Sequence, residues 1–204
     1  GVDLAKLKAE VKHEHHEEAG SGLRERLFRD IDRVSALGSA LAPIANAATK
    51  LPGARAAMDA VAGIAPDREL PTFRAESFAE WFASRGGSTV DADEAAATVA
   101  LFPDTYTNYS YPAAGKAAVE VLETANVRVE VPDDLAASGR AAFSTGFLDT
   151  ARERAATNVA ALAPRVRQDG SVVFVEPSDA VMFQDEYLDL LDGLAVAAVA
   201  APAY

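Results

Sequence analysis

The sequence predicts an α/β protein: a three-layer domain built on a parallel sheet, preceded by a helical segment. Three observations predict it. From residue 98 onward, short apolar runs of strand character alternate with longer amphipathic runs. The first 85 or so residues instead carry helical periodicity, interrupted by glycine and proline. Between the two lies the polar, glycine-led stretch GGSTVDADEA, which has the composition of a linker. The expected division is a helical connector over 1–86, a linker over 87–97 and an α/β domain over 98–204.

Taken in order, Asp3 is placed to cap a first helix in which Leu4, Leu7 and Val11 recur on one face, and Gly20 and Gly22 end it. A second helix is expected from Leu23 to about Leu37, with Leu27, Ile31 and Val34 on one side. Alanine-rich pieces follow, punctuated by Pro43, Pro52, Pro66 and Pro71. The stretch ESFAEWFASR reads as a short helix with Phe78, Trp81 and Phe82 as its apolar face. Beyond the linker, ATVALFPD is a buried strand, and AAGKAAVEVLETANV is a helix expected to turn Ala117, Val121 and Leu122 inward. VRVEVPD is a second strand. The clearest helix follows, with Leu148, Ala151, Ala155, Val159, Leu162 and Val166 in one stripe. SVVFVEPSD is a third strand and AVMFQDEYLDLL a closing helix. Strands joined through helices imply right-handed crossovers and a parallel sheet covered on both faces.

Composition narrows the function. The net charge of −12 argues against nucleic-acid binding, which needs clustered cations. Of the 19 basic residues, 14 are arginine and 5 are lysine; with the abundant Asp, Glu, Ala and Val this suits a salt-adapted, cytoplasmic protein, and no secretory signal is expected. No run approaches the ~20 apolar residues of a membrane span, and the tail GLAVAAVAAPAY is too short and alanine-rich for one. A chain that begins at Gly1 is expected to be processed or cut from a longer one. Cysteine is absent, which excludes disulfides, thiol catalysis and thiolate-held metal in this chain.

In open parallel sheets, ligands bind outside the carboxyl ends of the strands. Here those ends lead into PDTYTN, into the stretch around Ser138-Gly139-Arg140, and into EPSD. The topology therefore gathers Asp104, Thr105, Ser138, Arg140, Glu176 and Asp179 on one rim. Of these, Asp104, Ser138, Arg140 and Glu176 make a candidate anion or ligand rim. Gly139 would let backbone approach a ligand, and Arg140 would fork onto a carboxylate. The competing structural reading packs small residues under the neighbouring loops, pairs Arg140 with Asp104, Glu176 or Asp179, and uses Glu176 and Asp179 to cap the last helix.

These same segments carry a resemblance. LFPDTYTNYSYPAAGKAAVEVLETANVRVEVP, ASGRAAFSTGFLDTARERAATNVAALAP and VEPSDAVMFQDEYLDLL together resemble the Cys-Cys-Gly, or cysteine-rich, domain. That domain ends FAD-linked oxidases of the D-lactate (glycolate) dehydrogenase type. It also occurs in the anaerobic glycerol-3-phosphate dehydrogenase C subunit and the heterodisulfide reductase B subunit. GVDLAKLKAEVKHEHHEE and LRERLFRDIDRVSALGSALAP resemble the stretch that follows the ferredoxin-type cluster motifs of the FAD-linked oxidases. The resemblance thus implies a parent oxidoreductase with FAD and [4Fe-4S] clusters in upstream flavin and ferredoxin domains, which would be this chain's partners.

The departures bear on the cofactor. Thr105 stands at the family's first cysteine, Ala137-Ser138-Gly139 at its Cys-Cys-Gly, and Asp179 at its last cysteine. A cluster takes about four thiolates, so none is expected here, and these are degenerate positions. No cofactor, catalytic residue or metal is assigned. His13, His16 and Glu17 share a helix face at metal-ligand spacing, but HEHHEE also has the look of a solvated face. All three histidines lie in the first 16 residues, so Ser138 and Ser178 lack a histidine partner in the α/β domain. The leading expectation is a non-catalytic docking module of an FAD- and iron–sulfur-dependent 2-hydroxy-acid oxidoreductase. The alternatives are a partner-binding subunit of a glycerol-3-phosphate dehydrogenase or heterodisulfide reductase-like complex, or a small-anion-binding domain using Ser138, Arg140, Glu176 and Asp179. A homo-oligomer is compatible with each.

Overall fold

The computed structural model describes residues 3–51, 53–65, 67, 70–166 and 170–204. Helix α1 (Leu4–Ala19) begins at Asp3, whose carboxylate accepts from the Ala5 and Lys6 amides at 2.8 and 3.2 Å, and stops at Gly20. Its packed face is not the one its leucines suggest. Leu4, Leu7 and Val11 are exposed, and Ala9 on the opposite side is buried. The reason is what α1 lies on: a turn at Gly146, φ +88°, where an added Cβ would stand 2.5 Å from the Lys12 Cβ and 2.9 Å from the His13 nitrogen. That surface offers carbonyl groups, so small and polar residues face it.

The single helix expected from Leu23 is two, α2 (Leu23–Arg29) and α3 (Ile31–Ala40), with Asp30 at φ −101°, ψ 28° between them. The break turns the Arg29 carbonyl toward Arg154, which donates to it at 3.1 Å and to Asp32 at 2.8 Å. Helices α4 (Ala42–Ala48) and α5 (Ala54–Ala62) follow, Pro43 lying in the first turn of α4. Pro52 and Pro66 lie outside the described residues. Helix α6 (Phe78–Ser84) starts with a reciprocal cap: Ser77 Oγ accepts the Glu80 amide at 3.1 Å, and the Glu80 carboxylate accepts the Ser77 amide at 2.8 Å.

The sheet comprises β1 (Ala97–Phe102), β2 (Val127–Glu130) and β3 (Ser171–Phe174), all parallel, in the order β2-β1-β3. Between β1 and β2 run α7 (Thr105–Tyr109) and α8 (Pro112–Thr124); between β2 and β3 run α9 (Arg140–Ser144) and α10 (Leu148–Val166). After β3 come α11 (Pro177–Val181), a π turn (Met182–Glu186), α12 (Tyr187–Leu190) and α13 (Leu194–Ala200). The sheet alternates faces with period two. Val99, Leu101 and Val129 pack with Val119 of α8 and with Phe78 and Phe82 of α6. Ala100, Phe102 and Val172 pack with α10, the π turn, α12 and α13. The three-layer α/β class is therefore as expected, and α6 supplies part of one helix layer.

One helix face and one loop differ from expectation. On α8, Ala117 and Val121 are exposed, and Gly115 and Val119 face inward. Phe78 forces this: a Cβ on Gly115 would sit 2.6 Å from the ring, so α6 presses on the one glycine of α8. PDTYTN is the start of α7 and not a loop, because Asp104 caps it. The stripe on α10 holds, with Ala151, Ala155, Val159 and Leu162 buried, but Arg154 and Asn158 are buried beside them. The last residues lengthen the sheet edge: Tyr204 donates to the Val172 carbonyl at 2.8 Å and accepts from the Phe174 amide at 2.7 Å.

Candidate functional site

Strand β1 is central; the chain leaves it for α8 on one face of the sheet and leaves β3 for the π turn on the other, so the crevice outside the strand ends opens between β1 and β3. Asp104 follows β1, Glu176 and Asp179 follow β3, and the loop from β2 brings Ser138 and Gly139. Asp104 is 3% exposed; its Oδ1 accepts from the Tyr106 and Thr107 amides at 3.0 and 2.9 Å, and its Oδ2 is buried without a partner. Burial raises its pKa above the ordinary value, its bonds to Thr107 work the other way, and Glu176 adds to the rise. Thr105 opens α7 beside it, half-buried. Glu176 caps α11, accepting from the Ser178 amide at 3.0 Å.

Ser138 Oγ donates to Asp179 Oδ1 at 2.5 Å, and both residues are buried. Asp179 is pushed up to about 6, chiefly by burial; the Ser138 bond pulls it down, the charges of Asp104 and Glu176 raise it, and Arg140 lowers it. The loop carrying Ser138 is held from the far side. Asn158 Oδ1 accepts from the Ala136 amide at 2.8 Å, and its Nδ2 donates to Ala137 O at 3.2 Å and to the Tyr187 hydroxyl at 2.9 Å. That hydroxyl donates in turn to Ser138 O at 2.8 Å. Gly139 sits at φ +86°, where a Cβ would meet the Ala151 carbonyl at 3.3 Å and Met182 Cε at 3.5 Å. Its role here is close packing on α10 and the π turn.

Arg140 does not pair with Asp104, Glu176 or Asp179. It pairs with Glu186 of the π turn, whose second oxygen is buried without a partner. The rim as built is thus three carboxylates with its one arginine already engaged.

Sequence reasoning missed Glu186, Asn158 and Tyr187. A signal existed for Asn158, which falls among Ala155, Val159 and Leu162 on the apolar stripe and so must be buried with its amide satisfied. Glu186 and Tyr187 carried none, since a π turn shifts their facing.

Thr105, Ala137, Ser138, Gly139 and Asp179 do not fit an iron–sulfur cluster. None is a thiolate, Ser138 and Asp179 are bonded to each other, and the Ala137 carbonyl is held by Asn158. Among the described residues, no group of three or more His, Asp or Glu side chains is arranged to hold a metal ion. His13 and His16 face carbonyls instead: His13 Nδ1 lies 3.2 Å from Gly146 O and His16 Nε2 lies 2.9 Å from Thr145 O. His16 also stacks on Phe147 at 4.7 Å. With Lys12 on Ser144 O at 2.9 Å, they close the carboxyl end of α9. No described helix is long and apolar enough to cross a membrane.

No family model matches the chain, and no solved structure matches it. Among curated proteins it is 29% identical over 171 residues to the C subunit of the anaerobic glycerol-3-phosphate dehydrogenase of Escherichia coli (strain K12). The match covers 83% of this chain and 42% of that protein, and the same protein of Escherichia coli O157:H7 gives the same figures. The chain spans less than half the length of the curated relatives it matches.

Proposed function

We propose that this chain is a partner-contacting module of a multi-subunit dehydrogenase of the anaerobic glycerol-3-phosphate dehydrogenase kind, and that it carries no redox centre of its own. One observation carries the proposal: similarity to the C subunit of that dehydrogenase runs through 83% of a chain that lacks cysteine. Residues 1–86 act as the helical connector, whose last helix α6 packs into a helix layer of the α/β domain, 87–97 act as the linker and 98–204 as the α/β domain. Flavin and ferredoxin-type clusters belong to upstream domains or companion chains. Their substrate is glycerol 3-phosphate or, in the FAD-linked oxidase form of the proposal, a 2-hydroxy acid such as D-lactate or glycolate. The protein works in a salt-adapted cytoplasm.

Two features of the molecule support a contact role. The helical segment leaves Leu4, Leu7 and Val11 exposed as a stripe on the side of α1 opposite Ala9. The rim presents Asp104, Glu176 and Asp179 with Arg140 taken by Glu186, an arrangement that disfavours a small anion. Affinity purification of the tagged protein from the cells that make it is the test. A copurifying flavoprotein that oxidises glycerol 3-phosphate supports the proposal, and one specific for D-lactate or glycolate selects its second form. Recovery of the protein with no flavoprotein overturns it.

A further inference from the structure

Helix α11 is fastened to the body in an unusual way. Of its five residues, Pro177 to Val181, the only buried one is Asp179. Its apolar side chains give little anchorage: Pro177 is exposed, Val181 is 44% exposed and Ala180 is only half-buried. The fastening is a hydrogen bond from Ser138 Oγ, on a loop whose backbone is itself fixed by Asn158 and Tyr187. One side of this contact is rigid. The other is a short helix joined to the core through the π turn, where Met182 and Phe183 are fully buried. A π turn within a helix is uncommon and is found most often at functional sites.

The charges around Asp179 oppose its ionised form. Asp104 faces it from the start of α7 with one oxygen unpartnered, and Glu176 stands at the head of α11 itself. Arg140 of α9 is the cation nearest in effect, and it is paired with Glu186 in the π turn. Tyr187 of α12 is bound to Asn158 and Ser138, and Arg154 of α10 to Asp32. Among the described residues no ion pair reaches Asp179 or Asp104. A carboxylate buried without a cation is costly to ionise in place, and it ionises cheaply only by reaching water.

We propose that α11 is a proton-dependent lid: with Asp179 protonated it lies closed on Ser138, and when Asp179 ionises it swings out on the π turn and exposes the rim. The raised pKa of Asp179, about 6 closed against an ordinary 3.8, gives the direction. The closed form holds the proton more tightly, so closure is complete at acid pH and weakens as pH rises through about 6. A difference of that size increases the open fraction by about a hundredfold once Asp179 is ionised.

Amide hydrogen exchange of residues 176–182, corrected for the intrinsic rate, tests this at about pH 4.5 and about pH 8. In the wild type, the amides of Asp179 and Ala180 donate to the Glu176 carbonyl at 3.1 and 3.4 Å, bonds that a five-residue helix does not keep once it leaves the body, and they lose about thirtyfold in protection at the higher pH. Asp179→Asn keeps an oxygen for Ser138 and has no charge to expel, so its protection stays the same at both. Ser138→Ala retains the carboxylate and loses its donor, and the contrast between the two pH values grows. Equal wild-type protection at both pH values, an undiminished contrast in Asp179→Asn, or a smaller contrast in Ser138→Ala overturns the proposal.

Discussion

Tyr187→Phe removes one oxygen atom from a place where the structure makes its cost calculable. The ring stays, packed on Phe183 with centroids 4.1 Å apart. What goes is a hydroxyl that accepts from Asn158 at 2.9 Å and donates to Ser138 O at 2.8 Å, among residues that are all buried. The Ser138 carbonyl and one Asn158 N–H are then left without partners. Each such group costs about 1–3 kcal/mol, so about 2–6 kcal/mol is expected in sum. For a chain of this size that lowers Tm by about 4–24 °C. Urea unfolding reads it directly, with a lower midpoint and an unchanged slope. Asn158→Leu combined with Tyr187→Phe removes both ends of one bond, so the double variant loses at least ~1 kcal/mol less than the two singles summed. A Tyr187→Phe loss under ~0.5 kcal/mol, or strict additivity, would refute the view that Asn158 and Tyr187 hold the Ala136–Ser138 loop.

Other outcomes follow from the same contacts. NMR titration of the Asp179 carboxyl gives a midpoint near 6, and Ser138→Ala moves it higher, because the lost bond favours the ionised form. The native state holds this proton more tightly than the unfolded chain, so its contribution to stability is full below 3.8 and disappears as pH rises through about 6. Gly146→Ala forces a Cβ to 2.5 Å from the Lys12 Cβ at φ +88°, whereas Gly20→Ala, at φ +78°, meets nothing within 4 Å. The first should cost about 2–3 kcal/mol and expose α1 to protease, the second about 1 kcal/mol with α1 in place. Added KCl raises Tm, since screening relieves the repulsion within a chain of net charge −12; a flat salt series counts against salt adaptation. Leu7→Glu with Val11→Glu leaves the far-ultraviolet circular dichroism unchanged, both side chains being exposed, and weakens partner binding at least ~10-fold.

The layers and the three strands were legible because their periodicity is dictated by burial. β1 alternates between two apolar layers, and the α10 stripe faces one of them. Faces set by close approach were not legible. Nothing in the sequence says that Phe78 settles on Gly115, or that α1 lies against a turn at Gly146 and so leaves Leu4, Leu7 and Val11 outside. The rim residues Asp104, Ser138, Glu176 and Asp179 follow from chain topology, since strand ends in a parallel sheet share an edge. Their partners do not follow. Arg140 goes to Glu186 because a π turn adds a residue to the closing helix and brings that carboxylate round, a shift that no 3.6-residue pattern contains.

The partner-contact proposal is tested most directly by sedimentation velocity of the purified protein mixed with the flavin-containing dehydrogenase of its own cells, followed at both the protein and the flavin absorbance. Partner contact predicts one faster boundary that carries both chains and reverts to two with Leu7→Glu and Val11→Glu. Two independent boundaries with the wild-type protein, at concentrations well above a micromolar affinity, would contradict it.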